Sequence, residues 1–162
     1  MAKIMMTALA VLMIASGCSS GFGATASIGK AAPDWKDPLV GGGSLSMAQL
    51  RGKPVFLDFF ATWCPPCNEE APEVNAAYKA YASRGLQVVG VDVQENATKA
   101  KAFVDQHQLT YPAVVDSGAL SDEYSINGMP VAVFIDKNGV VRRIEIGELS
   151  SEKLDADIKA IL

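Results

Sequence analysis

Two periodicities divide this chain into strand-like and helix-like stretches. Residues 55–60 are almost wholly apolar, which is typical of a strand buried on both faces of a sheet. From Pro65 the period becomes helical, and the apolar face of this helix is formed by Val74, Ala77, Tyr78 and Tyr81. Residues 86–93 are a second apolar stretch, so strand, helix and strand together predict a parallel crossover unit.

Shorter elements surround this unit. In chain order, the patterns predict a small hairpin in residues 28–50, a helix over 97–109, a short strand over 111–115, a loop or short helix over 120–126, strands over 131–135 and 140–146, and a last helix capped by Ser150. The sequence Asp136-Lys137-Asn138-Gly139 predicts a tight turn between the last two strands. Pro72 predicts a kink in the first long helix. This order of elements predicts one α/β domain over residues 28–162.

The N-terminus has the composition of a targeting segment. Lys3 supplies a positive charge, and the apolar run over 4–15 is too short to span a bilayer comfortably. The residues Ser16-Gly17 before Cys18 resemble the lipobox of bacterial lipoproteins, although Ala15 stands where leucine is commonest. This resemblance implies a signal peptide over 1–17 and a lipid on Cys18 that anchors the protein to a membrane.

Residues 18–27 are small and flexible in composition, and we interpret them as a tether between the lipid and the domain. The alternative is ordinary cleavage after Ala24-Thr25-Ala26, which leaves a long gap behind the apolar run. Either interpretation predicts export into the bacterial cell envelope, facing the periplasm or another extracytoplasmic space.

Composition narrows the functions that this domain can have. The net charge is −4 and no block of basic residues is present, which argues against nucleic acid as a partner. Three cysteines are too few for a small domain that depends on disulfides for its stability. A zinc site would need two ligands beyond a cysteine pair, and only His107 or carboxylates remain. We therefore predict no metal and no bound cofactor.

Cys64 and Cys67 are separated by two residues, between the end of the first buried strand and the start of the first long helix. The first N–H groups of a helix lack partners within it, and the helix dipole favours negative charge there. A thiolate at this point is stabilised, so the leading cysteine is expected to be the better nucleophile. The spacing predicts a redox-active dithiol; a permanent disulfide and half of a zinc site are the alternatives.

The order of elements around this motif resembles the thioredoxin fold. Within that superfamily, the chain resembles the TlpA/ResA group of membrane-anchored thiol–disulfide oxidoreductases. The matching residues are Ala32-Pro33-Asp34, Leu50 to Pro54, Trp63 to Cys67, Glu70-Ala71-Pro72 and Gly128-Met129-Pro130. The resemblance implies a central mixed sheet flanked by helices, with an N-terminal β-hairpin extension. It also implies that Cys64 is the exposed nucleophile and Cys67 the shielded resolving thiol.

Two carboxylates are candidate proton acceptors for Cys67. Asp58 is the one charged residue in an apolar strand, where burial is expected to raise its pKa; the resemblance places a buried aspartate there. Its alternative role is to cap a turn or to reach solvent. Glu70 lies three residues after Cys67 and matches a glutamate of the TlpA/ResA group, but it can equally act through helix-start electrostatics. Glu69 has no such match and is interpreted as a solvated residue.

Three further residues are candidates for binding the partner protein. The resemblance implies a cis peptide bond at Met129-Pro130, with backbone groups at residue 129 offered to an extended substrate; a trans proline opening a strand is the alternative. Trp63 is interpreted as an apolar contact for partners, or else as part of the core. His107 is interpreted as a solvated residue on a helix.

Reduction of disulfides in exported proteins is the predicted activity, because Pro65 and Pro66 lack N–H groups that would stabilise the Cys64 thiolate. The resemblance implies apocytochrome c or copper-site cysteines as substrates, and a DsbD/CcdA-like membrane thiol carrier as electron donor. A copper metallochaperone and a DsbA-like oxidase remain as alternatives. The metallochaperones of this fold use C-x-x-x-C, which has one more residue between the cysteines.

Overall fold

The computed structural model describes residues 26–162. The predictions for the signal peptide, Cys18 and most of the tether lie outside these residues. Seven strands and five α-helices are found in the described part of the chain. The strands are β1 (Lys36–Pro38), β2 (Ser44–Ser46), β3 (Val55–Phe60), β4 (Gln87–Val93), β5 (Ala113–Asp116), β6 (Val131–Ile135) and β7 (Val141–Ile146). The helices are α1 (Met47–Leu50), α2 (Pro65–Tyr81), α3 (Ala97–Gln106), α4 (Ala119–Glu123) and α5 (Ser151–Ile161).

Five strands form a mixed sheet in the order β5-β4-β3-β6-β7. Strands β3, β4 and β5 are parallel neighbours, whereas β6 pairs antiparallel with both β3 and β7. Strands β1 and β2 form the separate antiparallel hairpin that the sequence predicted. All six residues of the central strand β3 are buried, as its apolar sequence predicted. The predicted α/β fold with a mixed central sheet and a hairpin extension is therefore confirmed.

Side chains on the two faces of β3 pack in different parts of the core, because successive side chains of a strand point to opposite faces. Leu57 and Phe59 pack against residues from the N-terminal hairpin region and α4. Phe56 and Phe60 pack against α2 and α5, in the same cluster as Cys67. Asp58 lies between these two phenylalanines in β3, so the pleat directs its side chain toward the α2 side, where the cysteines are.

Helix α2 continues through Pro72, and the kink expected at this residue stays a prediction. Helix α3 ends at Gln106, three residues earlier than predicted, because Gln108 adopts a left-handed backbone with φ of +50°. Strand β5 begins at Ala113, after Pro112, which has no N–H to donate to a neighbouring strand. These differences move element boundaries. Apart from the short helix α1, which was not predicted, the order of elements is as predicted.

Candidate active site

Cys64 and Cys67 form a disulfide at the start of α2, with a Cα–Cα distance of 5.3 Å. Cys64 is the N-cap residue, and its Sγ accepts a hydrogen bond from the Cys67 N–H at 3.3 Å. Pro65 and Pro66 occupy the first two helical positions and have no N–H. The amide of Cys67 is therefore the first one in the helix that is able to stabilise negative charge on Cys64.

Burial of the two cysteines differs from what the resemblance implied. Cys64 and Cys67 are each only 3% exposed, so the expected contrast between an exposed and a shielded cysteine is wrong for this disulfide form. The reason is that the bond ties Cys64 to Cys67, and both cysteines pack in one apolar cluster with Met129 beside them. Trp63 is 67% exposed, which rules out its alternative role in the core.

Asp58 is buried beneath the helix, and the Tyr111 hydroxyl donates a hydrogen bond to its Oδ2 at 3.2 Å. Burial raises the pKa of Asp58 to about 7, while the hydrogen bond from Tyr111 opposes this rise. Gly90 stands opposite Asp58 in the parallel register of β3 and β4. A Cβ at Gly90 would lie 3.3 Å from the Tyr111 ring, so glycine leaves room for the ring that reaches Asp58.

Glu70 also points into the core. It is the sixth residue of α2, beyond the first turn, and its Oε1 accepts a hydrogen bond from the Leu149 N–H at 3.1 Å. Burial, followed by repulsion from Asp58, raises the pKa of Glu70 to about 7. Both carboxyl groups therefore have a pKa of about 7, so each is able to accept and release a proton at neutral pH. Glu69 is exposed, as predicted.

The Met129–Pro130 peptide bond is cis, as predicted. Pro130 is buried, and its carbonyl accepts a hydrogen bond from the Gly147 N–H at 2.9 Å, which ties this loop to the end of β7. Met129 is partly buried against both core clusters, including the one that contains the cysteines. The structure therefore brings the Met129–Pro130 loop, the disulfide, Asp58 and Glu70 to one end of the sheet.

A side-chain network at this site was not predicted from the sequence. The Asn68 side-chain amide donates to the carbonyls of Thr62 at 3.1 Å and of Cys64 at 2.9 Å. Asn68 Oδ1 lies 3.0 Å from Nε2 of His107, which caps α3 and is half-buried. His107 is therefore part of a polar network behind the cysteines, and the prediction of a solvated residue is wrong.

No three His, Cys, Asp or Glu side chains within residues 26–162 are grouped closely enough to hold a metal ion. In the same residues, none of the helices has both the length and the apolar character that crossing a bilayer requires.

Known proteins are similar to this chain in sequence and in fold. Residues 28–144 match the AhpC/TSA family. The chain is 36% identical over 135 residues to the thiol–disulfide oxidoreductase ResA of Bacillus cereus, covering 83% of this chain and 78% of that protein. A thioredoxin-family thiol:disulfide interchange protein from Chlorobium tepidum superposes with a TM-score of 0.76 at 31% identity, covering 83% of this chain and 97% of that one.

A third similar structure is a secreted disulfide oxidoreductase of Mycobacterium tuberculosis that is homologous to E. coli DsbE. Its TM-score is 0.71 at 25% identity, and the match covers 78% of this chain and 95% of that one. The fold, the C-x-x-C disulfide and the similarity to these relatives all indicate the same family and the same activity. The chain belongs to the thioredoxin-like AhpC/TSA family and is a thiol–disulfide oxidoreductase related to ResA.

Proposed function

We propose that this oxidoreductase reduces disulfides of exported proteins. The Cys64 thiolate attacks one sulfur of the partner disulfide and forms a mixed disulfide, releasing the other partner sulfur as a thiolate that takes up a proton. The Cys67 thiol then gives its proton to the Asp58 and Glu70 pair and attacks Cys64. This second step releases the reduced partner and leaves the Cys64–Cys67 disulfide, so two electrons pass from this protein to the partner.

The observation that carries this direction is the pair of prolines at the first two positions of α2. A reduced thioredoxin-like protein is stabilised by hydrogen bonds to its leading thiolate, and a stabilised reduced form makes a stronger oxidant. Pro65 and Pro66 cannot donate such bonds, which leaves the Cys67 N–H at 3.3 Å. The dithiol form is therefore expected to give up its electrons readily.

The reduction potential tests this direction. We expect a potential closer to that of thioredoxin, about −270 mV, than to that of DsbA, about −120 mV. Pro66→Ala restores one N–H beside Cys64, and a regained hydrogen bond is expected to raise the potential by roughly 30 mV. Equilibration in glutathione or dithiothreitol buffers, with the Cys64–Cys67 peptide quantified by mass spectrometry, measures both. A wild-type value near that of DsbA would support an oxidase instead.

Partners of this site are proposed from its surface and from the resemblance. The exposed indole of Trp63 and the Met129–Pro130 loop are the proposed contacts for an extended segment of the partner protein. Apocytochrome c and copper-site cysteines are the proposed substrate classes. A DsbD/CcdA-like membrane thiol carrier is the proposed source of the two electrons that reopen the Cys64–Cys67 disulfide.

We further propose that the protein acts on the extracytoplasmic side of a membrane, anchored by a lipid on Cys18. Support comes from the apolar run over 4–15, followed by Ser16-Gly17-Cys18. Cys18→Ser is expected to remove the lipid and to move the protein from the membrane fraction to the soluble fraction. Fractionation and the intact mass of the mature N-terminus measure this change. A Cys18→Ser protein that stays in the membrane fraction would contradict the anchor.

A further inference from the structure

A second pair of buried carboxyl groups lies at the end of β4, outside the proton-transfer pair. Asp92 is fully buried, and neither of its carboxylate oxygens meets a hydrogen-bond donor within residues 26–162. Burial, then its contact with Glu95, raises the pKa of Asp92 to about 8. A protonated Asp92 carries an O–H, and the neighbouring acceptor for that O–H is the Glu95 carboxylate.

Glu95 reaches from the end of β4 to the loop that precedes Cys64. Its Oε2 accepts a hydrogen bond from the Thr62 N–H at 2.6 Å, and its Oε1 accepts one from the Thr62 hydroxyl at 2.9 Å. Lys99 Nζ lies 3.2 Å from Oε1, and the Glu95 side chain is only 3% exposed. Although burial disfavours its charge, these hydrogen bonds hold the pKa of Glu95 below its usual value.

Thr62 is thereby held from two directions. Its N–H and hydroxyl are bound by Glu95, and its carbonyl accepts from the Asn68 side chain at 3.1 Å. Only Trp63 separates this fixed residue from Cys64 in the chain. We call the contacts of Thr62 with Glu95 and Asn68 the loop clamp.

We propose that Glu95, which lies next to Asp92 and accepts two hydrogen bonds from Thr62, is a positioning residue that keeps Cys64 where the Cys67 N–H reaches its sulfur. Because Pro65 and Pro66 donate nothing, a small displacement of the loop weakens the single hydrogen bond at 3.3 Å. The loop clamp acts on Cys64 in both directions of electron flow. This proposal therefore rests on the oxidoreductase activity and does not depend on the proposed reductase direction.

Alkylation of Cys64 in the full chain tests the clamp. In a Cys67→Ser background, the labelling rate is measured against pH by mass spectrometry of the peptide that contains Cys64. Glu95→Ala is expected to raise the pKa of the Cys64 thiol by about one unit, which slows labelling about tenfold at neutral pH. In the chain with both cysteines, the same tenfold loss of thiolate lowers the reduction potential by about 30 mV.

The sign of the effect separates positioning from simple electrostatics. Removing the negative charge of Glu95 would by itself lower the pKa of a nearby thiol and speed its labelling. Glu95→Gln removes the charge but keeps one acceptor oxygen for Thr62, so we expect a rate between those of wild type and Glu95→Ala. Glu95→Gln also tests the proposal if the Glu95→Ala protein does not fold. Labelling in either variant at or above the wild-type rate would overturn the proposal.

Two further variants test the role of Asp92 and the general effect of destabilisation. Asp92→Asn offers an N–H donor toward Glu95, so Cys64 is expected to be labelled faster in this variant than in Glu95→Ala. An Asp92→Asn rate as low as that of Glu95→Ala would overturn the role of Asp92. Asp136 is buried in the turn at the opposite end of the sheet, where it binds Asn138, Val140 and Arg142. Asp136→Ala is expected to lower stability without slowing labelling, and equal slowing would overturn positioning.

Discussion

Replacing Cys67 with serine is expected to leave partner proteins covalently bound to Cys64 and to abolish turnover. Serine keeps the size and the backbone N–H of residue 67, so the Cys64 thiolate retains its hydrogen bond and still attacks a disulfide. The hydroxyl of serine, with its far higher pKa, does not displace the partner from the mixed disulfide. Non-reducing electrophoresis of the full chain shows the adducts, and mass spectrometry identifies both the partner and the linked cysteine.

Cys64→Ser is the matched control for this trap, because it retains the second thiol in the same helix. We expect no stable adduct with this variant, since the thiol that initiates attack is gone. Adducts of equal yield through Cys67 in the Cys64→Ser protein would show that the order of attack assigned here is reversed.

Asp58→Asn is expected to slow the release of the reduced partner by roughly 10²- to 10⁴-fold at pH 7, the usual contribution of a positioned proton acceptor. Asparagine keeps the shape of the side chain and its place beside Tyr111, but it takes no proton from Cys67. The wild-type rate is expected to rise through about pH 7, where Asp58 and Glu70 lose their protons, and this rise is expected to flatten in the variant. Single-turnover decay of the mixed disulfide against pH measures both effects.

The glutamates of α2 provide a comparison within one helix. Glu70→Gln alters the second buried carboxyl group, whereas Glu69→Gln alters an exposed neighbour and is expected to leave the decay unchanged. A large loss in Glu70→Gln, with little loss in Asp58→Asn, would make Glu70 the main acceptor of the Cys67 proton. Equal losses would show that the two carboxyl groups act as a pair.

Asp58→Asn is expected to raise the stability of the protein at alkaline pH, although it slows partner release. The pKa of Asp58 is about 7 in the folded protein, against an ordinary value of 3.8 for an aspartate, so the folded state binds the proton more tightly. The wild-type free energy of unfolding therefore falls as pH rises from about 4 to about 7, by up to about 4 kcal/mol from this group. Asparagine removes this loss, so urea unfolding is expected to show a more stable variant at pH 8. A variant that is no more stable than wild type there would contradict the burial of charge.

Local sequence signals predicted the parts of the site that depend on neighbouring residues. The period-two and helical patterns placed Cys64 and Cys67 between β3 and α2, and a lone carboxylate in an apolar strand identified Asp58. Asp92 carries the same signal in β4, where it is the one charged residue, but no role was predicted for it. The early end of α3 depends on a left-handed backbone at Gln108, which the apolar pattern does not indicate.

Contacts between distant segments were the part that the sequence did not predict. Tyr111 reaches Asp58 across 53 residues, and Glu95 reaches Thr62 across 33. Such contacts depend on strand order and register, which bring the carboxyl ends of β3 and β4 together. His107 was placed on a helix face because the predicted α3 ran too far, whereas as the capping residue it turns toward Asn68.

Because two prolines open α2, both steps of the proposed cycle, attack by Cys64 and release of the partner, depend on the same residue, Cys67. They leave Cys67 as the residue whose amide supports the first sulfur, and its own sulfur is the one proposed to displace the partner from the mixed disulfide. Any movement of the helix start that brings the second thiol closer also changes the support of the first. Substitutions in this turn therefore cannot tune the affinity for electrons and the speed of partner release independently of each other.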